Sequence, residues 1–175
     1  MFTFLFISKS FIKWRIGKYL NTNSPLIQTM KMLVAFDNSP SGRKALSFAL
    51  KFEPICEFLT VLYVNPGMVR VASNVDTIVP EAVFSDQNKF VEEIQKAAVE
   101  LIGDRAIRYE FVKVEATGDE VAKKIYDTAM SKQADFIITG TRKLTGLSKF
   151  ILGSVSSELI KIAQIPVMVV SPDDI

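Results

Sequence analysis

Short continuous apolar runs alternate along the chain with stretches in which apolar residues recur every three or four positions. Residues 32–36 (MLVAF) form such a run and end at the turn Asp37-Asn38-Ser39-Pro40. An apolar run of that length bounded by turn residues predicts a buried strand; Ala45, Phe48, Ala49 and Phe52 behind it have helical spacing. Residues 58–64 (FLTVLYV) predict a second buried strand, closed by Asn65-Pro66-Gly67. After an irregular stretch, residues 84–102 carry Phe90, Ile94, Ala97, Ala98 and Leu101 on one helical face. Residues 108–115 (RYEFVKVE) alternate apolar and polar, which predicts a strand with one wetter face. A helix opened by Thr117-Gly118-Asp119 turns Val121, Ala122, Ile125 and Ala129 inward, and residues 136–139 (FIIT) predict the fourth strand. A loop, a helix over about 154–163 and a last strand over 166–170, opened by Pro166 and closed by Val170, complete the pattern.

Five short strands alternating with helices predict a single α/β domain. Right-handed crossovers give a mostly parallel sheet with helices on both faces. Such sheets take ligands beyond the carboxyl ends of the strands, where the strand order reverses. Two strands have unusual chemistry at that end. The first finishes in Asp37, and the fourth runs into a glycine-bearing loop that begins at Thr139-Gly140. If those strands are neighbours, the switch point lies between them.

Composition narrows the chemistry. The 175 residues suffice for one domain with a real core. The sequence contains no histidine, which removes Ser-His-Asp and Cys-His nucleophiles and nearly all the usual zinc sites. Cys56 is the single cysteine, so no intrachain disulfide forms; a reducing compartment and a cytoplasmic location are expected, with the thiol packed and inert.

The net charge of +2 is uneven. Lys9, Lys13, Arg15 and Lys18 fall within residues 1–29, which contain no acid, and the remainder has 17 basic against 19 acidic residues, a net of −2. A mildly acidic domain without a basic stripe is not expected to bind nucleic acid. Residues 1–29 have no turn-delimited element that joins the later pattern, and Met30-Lys31-Met32-Leu33-Val34 starts a strand at once. The expectation is an extension outside the fold, assigned upstream of the true start, with the domain covering 30–175. The alternative is an amphipathic surface helix or leader built on Phe11, Ile12, Trp14, Ile16 and Leu20, the one route to a membrane.

The fourth loop has the makings of an anion site. Gly140 lets the chain turn out of the strand and brings a ligand close to the backbone. Gly153-Ser154 opens a helix whose first amides are unpaired and whose dipole is positive there, and Ser154 and Ser156 add hydroxyls. The plain alternative is a helix cap and nothing more.

With its surroundings, the loop resembles that of the universal stress protein family, whose nucleotide-binding members carry G-x2-G-x9-G-[ST] after the fourth strand. Gly140, Lys143, Gly153 and Ser154 occupy those four places, so three match. LTGLSKFILGSVS, IPVMVV and the opening MLVAFDNSPSGRKAL agree with the family in order, over about residues 31–171. The resemblance implies five parallel strands in order 3-2-1-4-5, counted from Met32, and a homodimer formed through the last strand. It also implies ATP or AMP as ligand. Ala35 and Val64 would frame the base through their backbones, and Asp37 would accept a hydrogen bond from the ligand. Thr139 and Gly140 would line the ribose and phosphate path, and Gly153, Ser154, Val155 and Ser156 would hold phosphates. Each also has a bland reading: Val64 in the core, Thr139 ending a strand, Asp37 capping the turn at Asn38-Ser39.

Lys143 departs from the pattern and leaves three outcomes open. Its ammonium reaches a phosphate as a mobile point charge, or its side chain fills the phosphate space and the site does not bind, or it is a solvated lysine on a flexible loop, next to Arg142 and close to Lys149. The leading expectation is a stress-response, nucleotide-responsive dimer rather than a turnover enzyme. Asp37 is a candidate magnesium contact, but nothing recognisable positions an attacking water, so hydrolysis of ATP would be slow at most. The alternatives are a nucleotide-free interaction protein that acts through its dimer surface, and an ATP- or AMP-using enzyme on the same fold.

Overall fold

The computed structural model describes the backbone of residues 4–6 and 81–87 and all atoms of residues 29–66, 88–117, 120–141 and 153–171. Its strands are β1 (Phe4–Phe6), β2 (Met30–Ala35), β3 (Cys56–Asn65), β4 (Tyr109–Glu115), β5 (Phe136–Gly140) and β6 (Val167–Val170). They form one sheet in the order β1-β6-β5-β2-β3-β4. Strands β2 to β6 pair in parallel, so β4-β3-β2-β5-β6 is the expected 3-2-1-4-5 arrangement. Helices α1 (Pro40–Ala49) and α2 (Glu81–Ile102) cover one face, and α3 (Val121–Ser131) and α4 (Ser154–Ile162) the other.

The strand periodicity assigns each residue its face. Met32 and Val34 of β2 pack with Ala45, Leu46 and Ala49 of α1, and the intervening Leu33 packs with Ile125 and Ala129 of α3. Ile138 and Ile137 of β5 divide the same way. A central strand buried on both sides has no polar face, which is why MLVAF reads as one unbroken run. At the far edge the requirement relaxes. In β4, Tyr109, Lys113 and Glu115 are exposed, and charged side chains on an edge discourage pairing with foreign strands.

Helix α1 ends sooner than its apolar spacing predicts. Ser39 caps it and Pro40 occupies the first turn, but from Leu50 to Ile55 the chain continues as a 3-10 helix containing Pro54. Proline lacks the amide an α-helix needs and restricts the residue before it, so the chain tightens there. Phe52 keeps its inward contact from the tighter turn, edge-on to Phe48 at 5.4 Å and to Phe136 at 5.9 Å.

Within residues 1–29, expected to stand apart from the fold, Phe4–Phe6 belongs to the sheet. Strand β1 runs antiparallel to β6 with Phe4, Leu5 and Phe6 opposite Val169, Met168 and Val167. The physical reason is the edge itself: an apolar last strand leaves backbone groups open, and an extended apolar segment of the same chain satisfies them. Among the described residues no helix is long and apolar enough to cross a membrane. Cys56 is half-buried, and burial, ahead of the Glu53 and Glu57 charges, pushes its thiol up to about 11.

Candidate functional site

Strands β2 and β5 are neighbours, with Met32, Leu33 and Val34 opposite Phe136, Ile137 and Ile138. The chain leaves β2 for α1 on one face, whereas α4, which follows β5, lies on the other. The two connections therefore diverge and leave a crevice at the carboxyl ends, where an open α/β sheet binds ligands. A cleft of about 560 Å³ lies there. Ala35, Val64, Thr139 and Gly140 line it from the strand ends, Asp37 from the turn after β2, and Gly153, Ser154, Val155 and Ser156 from the start of α4. Nine of the ten residues singled out in the sequence thus share one cavity. The tenth, Lys143, lies outside the described residues, as does the Gly118-Asp119 start of α3.

Asp37 organises the rim. Its Oδ1 accepts the Ser39 amide (3.1 Å) and the Ser39 hydroxyl, while Ser39 Oγ accepts the Gly42 amide at 3.1 Å. Asn38 between them has φ 59°, a left-handed conformation that asparagine tolerates, and its Oδ1 accepts from Arg43 Nη1 at 2.9 Å. The turn-capping reading of Asp37 is therefore present, and the side chain still stands exposed at the cleft mouth. Gly42 makes room for it, since a Cβ there would come within 2.5 Å of Asp37 Oδ1.

Gly140 has a reason the loop pattern did not supply. A Cβ on it would meet the carbonyl carbon and oxygen of Ser41 at 2.5 Å and the Ser41 Cβ at 2.8 Å. The first turn of α1 lies directly on the end of β5, and only glycine permits that approach. Thr139 beside it is buried, with its hydroxyl turned onto the Gly140 carbonyl at 3.3 Å.

At the start of α4, two of the expected phosphate donors are already engaged. The Gly153 amide donates to Thr141 Oγ1 at 3.1 Å, which joins the end of β5 to the helix cap across residues 142–152. The Ser156 hydroxyl, 2% exposed, donates to the Gly153 carbonyl at 3.0 Å. The amides of Ser154, Val155 and Ser156 differ. The first turn of a helix has no intrahelical acceptor for them, and Gly153 at the cap has no side chain to supply one. These three amides and the exposed Ser154 hydroxyl are the anion-binding groups the helix offers.

Sequence reasoning did not connect Tyr63 and Phe90 with the cleft, yet both line it. Phe90 was expected on the inward face of its helix; it is 53% exposed, edge-on to Tyr63 at 6.4 Å. Burial, then the Glu115 and Asp37 charges, push the Tyr63 phenol up from its ordinary value. The signal available in the sequence was the tyrosine one position before Val64.

Magnesium finds no assembled site here: no group of three metal-ligating side chains converges among the described residues. Asp37, the single carboxylate lining the cleft among the described residues, already accepts two hydrogen bonds on Oδ1. Magnesium's octahedral shell would have to come mainly from water and ligand phosphates.

The sequence profile described as the universal stress protein family matches residues 29–171. Universal stress protein YxiE of Bacillus subtilis is 32% identical over 148 residues, spanning 80% of this chain and 97% of its own. A universal stress protein from Archaeoglobus fulgidus superimposes with a TM-score of 0.61 at 25% identity, covering 80% of this chain and 97% of its own. Another from the same organism, solved in complex with dAMP, superimposes with a TM-score of 0.57 at 21% identity over 82% of this chain and 98% of its own. The sheet order, the cleft at its switch point and the match over residues 29–171 agree: this chain belongs to the universal stress protein family.

Proposed function

We propose that the cleft binds an adenine nucleotide and that the chain works as a small cytoplasmic stress-response regulator rather than a turnover enzyme. The observation that carries this reading is the first turn of α4. Three amides without intrahelical acceptors border a cleft of about 560 Å³ that strands β2, β3 and β5 also line. In the proposed complex those amides hold the phosphates, Thr139 and Gly140 line the ribose path, and Ala35 and Val64 frame the base. Asp37 accepts a hydrogen bond from the ligand, and the rings of Tyr63 and Phe90 close the wall. Magnesium arrives with the phosphates, and the engagement of Asp37 Oδ1 by Ser39 favours a binding role for that carboxylate over a catalytic one. A family relative held dAMP in its structure, which supports the ligand class.

Titration of the full chain with ATP, ADP and AMP by calorimetry tests the reading. Binding well below ~1 mM, worth more than about 4 kcal/mol, is expected for at least one of them. Silence with all three at millimolar concentration overturns it.

Ser154→Pro gives a sharper check. Residue 154 is the first helical position, where proline is tolerated, and Gly153 before it has ψ 160°, which proline requires of its predecessor. The substitution removes one cleft amide and one hydroxyl. Thermal stability is expected to stay near wild type while affinity falls about tenfold, or about 1.4 kcal/mol. Unchanged affinity would remove the α4 amides from the site.

A second reading, a nucleotide-free interaction protein, has one observation in its favour. The Gly153 amide and the Ser156 hydroxyl are turned onto protein partners, which leaves fewer donors for phosphate.

A further inference from the structure

The outer edge of β6 is the other place where the molecule presents recognition chemistry, and it is occupied from within. The amide of Ile137 donates to the Pro166 carbonyl at 2.9 Å, and that of Thr141 to the Val170 carbonyl at 3.0 Å. With a strand period of two, the backbone groups of 166, 168 and 170 therefore face β5. Those of Val167 and Val169 point to the open side. Phe6 and Phe4 of β1 lie opposite these two, with Leu5 opposite Met168 between them.

A second copy of the chain would use the same edge in the same way. Two identical strands joined by a two-fold axis must run antiparallel, and an axis at Met168 pairs Val167 of each copy with Val169 of the other. The partner strand would then present the apolar triplet Val-Met-Val where β1 presents Phe-Leu-Phe, in the same direction and against the same backbone groups. We infer that β1 is an intramolecular stand-in for a partner's β6, so that the N-terminal segment holds the chain as a monomer and its release permits dimerisation. The two occupants exclude one another, because Val167 and Val169 have only one outward N–H and one outward C=O each. The opposite edge, β4, has exposed Lys113 and Glu115 and offers no equivalent surface.

Two full-length variants test this. Phe6→Pro removes the β1 amide that faces Val167 and leaves the rest of the domain untouched. Sedimentation is expected to give a monomer for the wild type and a dimer for Phe6→Pro at the same concentration, with circular dichroism unchanged. A dimeric wild type, or a Phe6→Pro variant that stays monomeric, overturns the inference.

The second variant, Leu5→Cys with Met168→Cys, makes the geometry itself the readout. A non-hydrogen-bonded antiparallel pair places its Cα atoms about 4.5 Å apart, within disulfide reach. Oxidation is expected to give an intrachain bond, a monomer whose free-thiol count falls by two. Interchain disulfide instead would mean that β1 pairs with another copy, and no disulfide would mean that β1 is not on this edge; both overturn the inference. Cys56, with its thiol pushed up to about 11, is a slow competitor at neutral pH.

Discussion

Replacing Gly140 by valine is expected to lower the free energy of unfolding by about 3 kcal/mol and to remove ligand binding from the cleft. The added Cβ would stand 2.5 Å from the backbone carbon and oxygen of Ser41, atoms that no rotamer change can move. Either the first turn of α1 lifts off the end of β5 or the strand end shifts, and both lose contacts in a tightly packed layer. Ser39, which holds the Asp37 carboxylate, lies two residues before Ser41, so the disturbance reaches the cleft mouth directly. Denaturant unfolding reads the stability change and calorimetry the loss of binding. Alanine carries the same Cβ and should show most of the effect. A change below about 0.5 kcal/mol for valine would mean that the close approach is not needed for stability.

Thr141→Val is the second substitution with a large expected effect. Valine keeps the shape of threonine but removes Oγ1, the acceptor of the Gly153 amide at 3.1 Å. The bond is part-buried, and an amide left without a partner in such a place costs about 1–3 kcal/mol. The helix cap is then no longer tied to the end of β5, and the three amides behind it lose their fixed position over the cleft. Unfolding free energy should fall by about 2 kcal/mol and nucleotide affinity with it. Thr141→Ser retains the hydroxyl and should restore both. If valine and serine behave alike, the hydrogen bond is not what positions α4.

The fold was largely legible because its signals were long and repeated. MLVAF and FLTVLYV are buried on both faces of the sheet and so read as unbroken apolar runs, and the helices between them show one apolar side. What the sequence missed depends on contacts between distant segments. Gly140 read as a turn and ligand-approach glycine, yet its neighbour is Ser41, ninety-nine positions earlier. Gly153 read as a phosphate donor, but its amide is met by Thr141, which no motif singled out. Phe90 had helical spacing with the core residues behind it; α2 carries it to the cleft, where it faces Tyr63 instead of the core. Strand β1 escaped for a different reason. Three apolar residues in an unpatterned stretch have no period to read, and their pairing follows from β6 having an edge to offer.

The bond between Thr141 and Gly153 bears on how this family member can diverge. It fixes both ends of the eleven residues from 142 to 152 without calling on any of them. Lengthening a loop whose ends are already held adds little closure entropy, about 0.6 kcal/mol for each doubling. Insertion, deletion or exchange of residues there is therefore expected to leave the start of α4 at its station over the cleft. A change of sequence between Thr141 and Gly153 is thus expected to cost the fold little, which makes that segment the natural place to graft a new specificity onto the domain.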